Sequence, residues 1–109
     1  MRIWDIAPSR LCRNHLLGEH RELHAIWSIL TKRKKGYSRH PEVLRWEGRL
    51  KALYARHKLL MEELSRRGYR HYSNLNKSLA CGSLRQNQFV DSVKDQLKNL
   101  KRKKCACKV

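Results

Sequence analysis

Pro41-Glu-Val-Leu-Arg-Trp-Glu-Gly-Arg-Leu50-Lys-Ala-Leu-Tyr-Ala-Arg-His-Lys-Leu-Leu60-Met-Glu-Glu-Leu-Ser-Arg-Arg-Gly68 is the stretch whose reading decides the fold. Val43, Trp46, Leu50, Leu53, Tyr54, His57, Leu60, Met61 and Leu64 recur at three- and four-residue steps, which lays them along one side of a helix. Pro41 suits a first helical turn, where its missing N–H is not needed. Gly68 suits the position just past a helix end, and Arg66 and Arg67 place cations where the helix dipole is negative. The pattern predicts one long helix from Pro41 to the arginine pair.

Upstream, Pro8-Ser9 opens a second periodic run. Leu16, Leu23, Ile26, Trp27 and Leu30 predict a helix from about residue 8 to about residue 30. Thr31 to Arg39, with Gly36 and a dense cluster of cations, reads as a basic loop. Downstream, periodicity fades from Tyr69 to Gln88. Asp91 is then placed to cap a third helix carrying Val93, Leu97 and Leu100. Strand signals are few and isolated. The expected fold is all-α: two long packed helices and a C-terminal helix in a single compact domain over residues 1–100. A basic, solvated tail over 101–109 should follow.

A chain of 109 residues suits one core, not two. Its 26 Lys and Arg against 9 Asp and Glu leave a formal charge of +17, which implies a polyanionic partner: DNA, RNA or an acidic membrane surface. Nothing is apolar enough over sufficient length to span a bilayer. Trp4 and Asp5 stand where a secretory leader would be apolar, so the expectation is a cytoplasmic protein with no membrane partner. Lys32, Arg33, Lys34 and Lys35, then Arg66 and Arg67, then Lys101 to Lys104 are candidate phosphate contacts; the alternative is a solvated charged surface. Tyr37, Tyr69 and Tyr72 lie among these charges and could stack on bases, and His40 and His71 suit loop contacts to DNA or solvent. Trp27 and Trp46 fall on apolar stripes and read as core, and His57 as core or boundary.

Cys12, Cys81, Cys105 and Cys107 are expected to be reduced thiols. Cys105-Ala-Cys107 could join a metal site with a histidine, or simply belong to the tail. His20 and His24 have the i, i+4 spacing of a zinc pair, but no third and fourth ligands are evident near them. The expectation is a protein without metal or cofactor.

The run His15-Leu-Leu-Gly-Glu-His-Arg-Glu-Leu23 carries the candidate chemistry. It puts Glu22, with Arg21 beside it, on the first helix, a short segment after the α-amino group. An α-amine titrates near pH 7.7–8.0, so an appreciable fraction is nucleophilic at neutral pH. Such an amine can attack C1′ of a deoxyribose and form an imine, after which elimination breaks the strand. Arg2, bulky in second place, favours retention of Met1 and offers a phosphate contact. Glu22 can stabilise an oxocarbenium-like centre or shuttle protons. The plainer readings are an ordinary flexible terminus for Met1 and an arginine salt bridge for Glu22.

This run resembles the active-site helix of the pyrimidine dimer DNA glycosylases, the phage endonuclease V family. The similarity covers the His, the acidic residue four later and the Arg-Glu-Leu step. Arg2 has the spacing of the family's N-terminal arginine, and a looser similarity extends to Leu64-Ser-Arg-Arg-Gly68 and Tyr69. Where the family has an arginine three residues after the glutamate, this chain has Ala25. The resemblance implies an all-α fold, Met1 as nucleophile and Glu22 as the essential carboxylate. It also implies Arg2 and Arg21 at the lesion's phosphates, His15 near the site, and DNA kinked with a nucleotide flipped out. The implied activity is that of a DNA glycosylase with apurinic/apyrimidinic lyase activity at cyclobutane pyrimidine dimers. The implied partner is double-stranded DNA containing dimers or abasic sites, bound by a monomer. The alternatives are a non-enzymatic basic protein that coats nucleic acid, and the same lyase chemistry on another lesion.

Overall fold

The computed structural model describes residues 2–36, 39–69, 73–103 and 105–109. The described residues form four helices: α1 (Arg13–Lys32), α2 (Pro41–Leu44), α3 (Leu50–Arg66) and α4 (Val93–Arg102). Short 3-10 turns occur at Pro8–Arg10 and Lys77–Leu79, and no strand occurs among the described residues. Among the described residues no helix is long and apolar enough to cross a membrane.

Two helix boundaries differ from the sequence expectation. The first helix begins at Arg13, not near Pro8: Pro8–Arg10 forms a single 3-10 turn, and Leu11 and Cys12 are extended before α1 starts. The second expected helix is split. After α2 the backbone tightens into i→i+3 bonds, from Trp46 N–H to Val43 O and from Glu47 N–H to Leu44 O, and Gly48 turns the chain at φ +73°. The break lets Arg45 bury its guanidinium while Val43 and Trp46 remain in the core. The first free N–H groups of α3 then need acceptors. Cys81 O accepts from Lys51 N–H at 2.8 Å, and Ser83 O accepts from Ala52 N–H at 3.2 Å.

Helices α1 and α3 pack antiparallel. Glu19 meets Arg56 and Trp27 meets Tyr54, so the partner number falls as the α1 number rises. Leu16, Leu23 and Ile26 of α1 meet Leu53, Leu60 and Leu64 of α3 in the core, all fully buried. Gly68, at φ +86°, ends α3 by letting Tyr69 N–H reach back to Leu64 O at 2.9 Å. Ser92, rather than the expected Asp91, caps α4: its hydroxyl accepts from Asp95 N–H at 3.1 Å. Gln96 and Leu100 are the residues α4 buries, and Val93 stays exposed.

Both ends of the chain join the body. Ile3, Trp4 and Ile6 are core residues. The C-terminal residues do not run free as the expected tail. Helix α4 continues to Arg102, Lys108 N–H donates to Arg10 O at 2.7 Å, and Cys107 and Val109 lie against the core.

The segment that caps α3 leaves no room at Gly82. Its φ is +82°, and an added Cβ would lie 2.2 Å from Gly48 O. Gly82→Ala should therefore cost about 1–3 kcal/mol through strain and clash, read as a lower denaturant midpoint. Gly36→Ala, where a Cβ meets nothing, should leave that midpoint nearly unchanged.

Candidate active site

A polar stripe runs along α1 at helical spacing: His15, Gly18, Glu19 and Glu22. It forms one wall of a cleft of about 500 Å³. The other walls come from Arg2 and Trp4, from His40 to Glu42 at the start of α2, and from Val90 and Lys103.

The floor of this cleft is the N-terminal segment, which has no neighbouring strand to pair with. Its N–H groups are taken one by one by side chains. Arg2 N–H donates to Glu22 Oε2. Ile3 N–H donates to Glu42 Oε1 at 3.2 Å, and Trp4 N–H to Glu19 Oε1 at 2.9 Å. Asp5 N–H donates to Gln96 Oε1 at 2.8 Å. Four consecutive amides are thus held by α1, α2 and α4 together. The carbonyls are also held: Ile3 O accepts from Arg45 Nη2 at 3.0 Å and Ile6 O from Arg56 Nη1 at 3.0 Å.

Two of the three carboxylates are neutralised where they stand. Arg56 grips Glu19 with two bonds, at 2.7 and 3.1 Å, and Arg45 Nε donates to Glu42 Oε1 at 2.7 Å. Burial pushes the Glu19 carboxyl up, and the Arg56 guanidinium pulls it back. Of the three, Glu22 alone has no ion-pair partner among the described residues. It is half-buried and faces the cleft.

The cations at the rim are differently placed. Arg2 pairs with Asp91 at 2.8 Å and lies over the Trp4 ring at 4.9 Å. Lys103 approaches the same ring at 5.8 Å. His15 packs edge-on against Trp4, and burial followed by the charge of Lys103 lowers its tendency to protonate.

The structure gathers some of the sequence candidates and leaves others apart. Glu22, Arg2 and His15 share the cleft. Met1 lies outside the described residues, as do Tyr37, His71, Tyr72 and Lys104. Arg21 is exposed on the neighbouring face of α1, in a hollow with His20, His24 and Ser73. Lys32, Arg33, Lys34 and Lys35 are exposed at the far end of α1, roughly 15 Å along its axis from Glu22 at 1.5 Å per residue. Arg66 is exposed and paired with Glu63. Arg67 is occupied: it bonds Glu63 and donates to Leu11 O at 2.6 Å, holding the turn before α1. The pair His20 and His24 does have a third partner. Helix α3 brings His57 opposite, with its Nε2 atom 3.2 and 3.1 Å from theirs.

Sequence reasoning passed over Glu42, Gln96, Arg45 and Arg56, gave Glu19 no role of its own, and offered Lys103 only as one phosphate contact among Lys101 to Lys104. The signal for Glu19 was present, since it precedes Glu22 by three residues on the same helix face. For Gln96, 91 positions from its partner, no local signal exists.

Removing one partner of a buried pair leaves the other charge stranded. Glu19→Ala should cost about 3–5 kcal/mol in unfolding free energy. Arg66→Ala, on an exposed pair, should cost less than about 1 kcal/mol in the same titration.

No curated protein and no solved structure matches the chain. The family model for pyrimidine dimer DNA glycosylase matches residues 1–77, which hold α1, α2, α3 and every cleft residue except Val90 and Lys103. A match over that much of the chain, on a cleft built from its N-terminal segment, makes this DNA-repair enzyme a member of the pyrimidine dimer DNA glycosylase family.

Proposed function

We propose that the chain excises at cyclobutane pyrimidine dimers and then cleaves the strand as an apurinic/apyrimidinic lyase, through an imine on the Met1 amine. The observation that carries this reading is the bond from Arg2 N–H to Glu22 Oε2. The Arg2 nitrogen is the atom to which Met1 is bonded, so the α-amine is only three covalent bonds away from it. Glu22 is also the cleft carboxylate with no ion-pair partner among the described residues. A carboxylate already neutralised by arginine is a poor proton shuttle; one facing an open cleft is available.

The steps follow from this pairing. The neutral amine attacks C1′, the C1′–N bond to the pyrimidine breaks, and the base leaves with the electron pair and takes up a proton. Glu22 stabilises the positive charge that develops on the sugar and delivers a proton to O4′ as the ring opens to the imine. The imine acidifies C2′. Loss of a C2′ proton expels the 3′ phosphate and cuts the strand. A dimer-containing or abasic duplex must expose its sugar for this, which requires a nucleotide to leave the stack. Arg2, His15 and Arg21 act near the lesion. Lys32, Arg33, Lys34, Lys35 and Arg66 hold more distant phosphates without reading sequence, and Arg67 adds its charge. The active species is a monomer and uses no cofactor.

Borohydride reduction on abasic duplex should trap a covalent adduct on the N-terminal peptide. Blocking the amine by acetylation should remove both adduct and scission. An adduct mapped to a lysine would refute the assignment. Glu22→Gln should lower cleavage at least a hundredfold, on the order of one lost acid–base group, while duplex binding holds or tightens because a negative charge is lost.

Gly18 gives a test with opposite signs. It lies inside α1, borders the cleft, and an added Cβ would meet nothing. Gly18→Ala should raise stability by up to about 1 kcal/mol from helix propensity. The same methyl narrows the cleft, so cleavage of dimer-containing duplex should fall several-fold.

A further inference from the structure

A four-residue cluster lies where the two ends of the chain meet, and of its members only His15 takes part in this chemistry; its three cysteines do not. Cys12 is the residue just before α1, and His15 lies in its first turn. Cys105 and Cys107 come from the segment after α4. Their ligand atoms, three sulfurs and one imidazole nitrogen, all lie within 4.8 Å of one another. His15 Nδ1 is 3.1 Å from Cys12 Sγ and 3.2 Å from Cys107 Sγ. A tetrahedral zinc ion, with bonds of about 2.3 Å to sulfur and about 2.0–2.1 Å to nitrogen, sets its sulfur and nitrogen ligands roughly 3.5 Å apart. The two contacts of His15 need to open by only a few tenths of an ångström to receive it.

We propose that Cys12, His15, Cys105 and Cys107 form a structural zinc site that clasps the C-terminal segment to the start of α1. The chemistry of the donors selects the ion. Three thiolates and an imidazole suit zinc and disfavour magnesium or calcium, which take oxygen ligands. Four protein ligands fill a tetrahedron and leave no place for substrate or activated water, so the site is structural and not catalytic. The surroundings are those of a thiolate site: Cys12 N–H donates to Cys107 Sγ at 3.0 Å, the kind of outer bond that orients a metal-bound sulfur. The Cys105 thiol donates a weak bond to Leu100 O at 3.6 Å, which it gives up as its proton leaves on metal binding.

The site acts on the cleft by position. The ring of His15 borders the cleft and packs on Trp4, and Lys103, two residues before Cys105, borders it as well. Fixing His15 through Nδ1 holds its ring against Trp4. Fixing Cys105 and Cys107 keeps Lys103 at the rim. Sequence reading allowed Cys105-Ala-Cys107 a histidine partner but could not say which, because Cys12 and His15 stand ninety or more positions away.

The test is metal content of the reduced, purified full chain by mass spectrometry, with titration of cobalt(II) into metal-free protein. Zinc should be present and fall by one equivalent per chain in Cys105→Ser/Cys107→Ser. Cobalt should give intense tetrahedral absorption and sulfur-to-metal charge transfer in the wild type, and lose both in that variant. His15→Cys, which keeps four ligands, should retain the zinc and strengthen the charge-transfer band; it guards against a serine variant that merely fails to fold. Chelation should lower the melting temperature of the wild type and leave that of the serine variant unmoved. A chain that carries no zinc and gives no tetrahedral cobalt spectrum would overturn the proposal. So would copper or iron in its place, a disulfide among these cysteines in reduced buffer, or a serine variant that keeps its full zinc content. The His20, His24 and His57 group lies elsewhere on α1 and α3, so any ion held there remains in the serine variant and does not affect the one-equivalent difference.

Discussion

The structure depends on the need to bury an N-terminal segment that, among the described residues, has no sheet to join. Ile3, Trp4 and Ile6 bring large apolar side chains into the core, and their backbone must come with them. An unsatisfied buried amide costs about 1–3 kcal/mol, so four in a row would outweigh much of what those side chains contribute. The chain meets this with Glu22, Glu42, Glu19 and Gln96. Carboxylates are stronger acceptors than carbonyls but bring charge into the interior. Arg45 is buried and Arg56 partly buried for that reason, and each donates a further bond to the segment's carbonyls. The split between α2 and α3 belongs to the same solution, since a continuous helix would not bury Arg45 beside Asp5 and Glu42.

This arrangement explains how acidic residues survive on a chain of charge +17 that handles DNA. Most of the cleft's acidity is internal, matched by arginine and used to hold backbone. Glu22 is the exception. It takes an amide at the first described residue and has no cation in ion-pair reach among the described residues. A structural acceptor and an available carboxylate are thus the same group, and the segment it holds is the one that carries the amine.

The helical character of the chain was legible because packing periodicity is local. Leu16, Leu23, Ile26 and Leu53, Leu60, Leu64 mark their own stripes, and Gly68 marks a stop. The helix starts were less legible. Pro8 and Pro41 both fit a first turn, yet only Pro41 begins an α-helix; a single 3-10 turn satisfies the other. Glu22 and His15 could be read together because one short motif contains them, and Arg2 joined them through its spacing from that motif. Arg45, Arg56 and Gln96 could not, because their roles arise from burial against segments far along the chain. Arg67 shows the converse: a cation that charge counting offers to phosphate is spent on the carbonyls before α1.

The bond from Asp5 N–H to Gln96 Oε1 has a consequence in time. It joins positions 91 apart, and Lys108 returns to Arg10 across a separation of 98. During synthesis α1 and α3 emerge first and can pack on one another, but the acceptor for Asp5 and the partner of Arg10 are made much later. Until then the N-terminal segment lacks one of its four anchors. Long-range closure of this kind is slow because loop entropy is lost before the contact is gained. The nascent chain can thus display its basic helices to nucleic acid before its N-terminal segment is fully seated. In this order of assembly, the charge that attracts DNA is in place before the glycosylase cleft is complete.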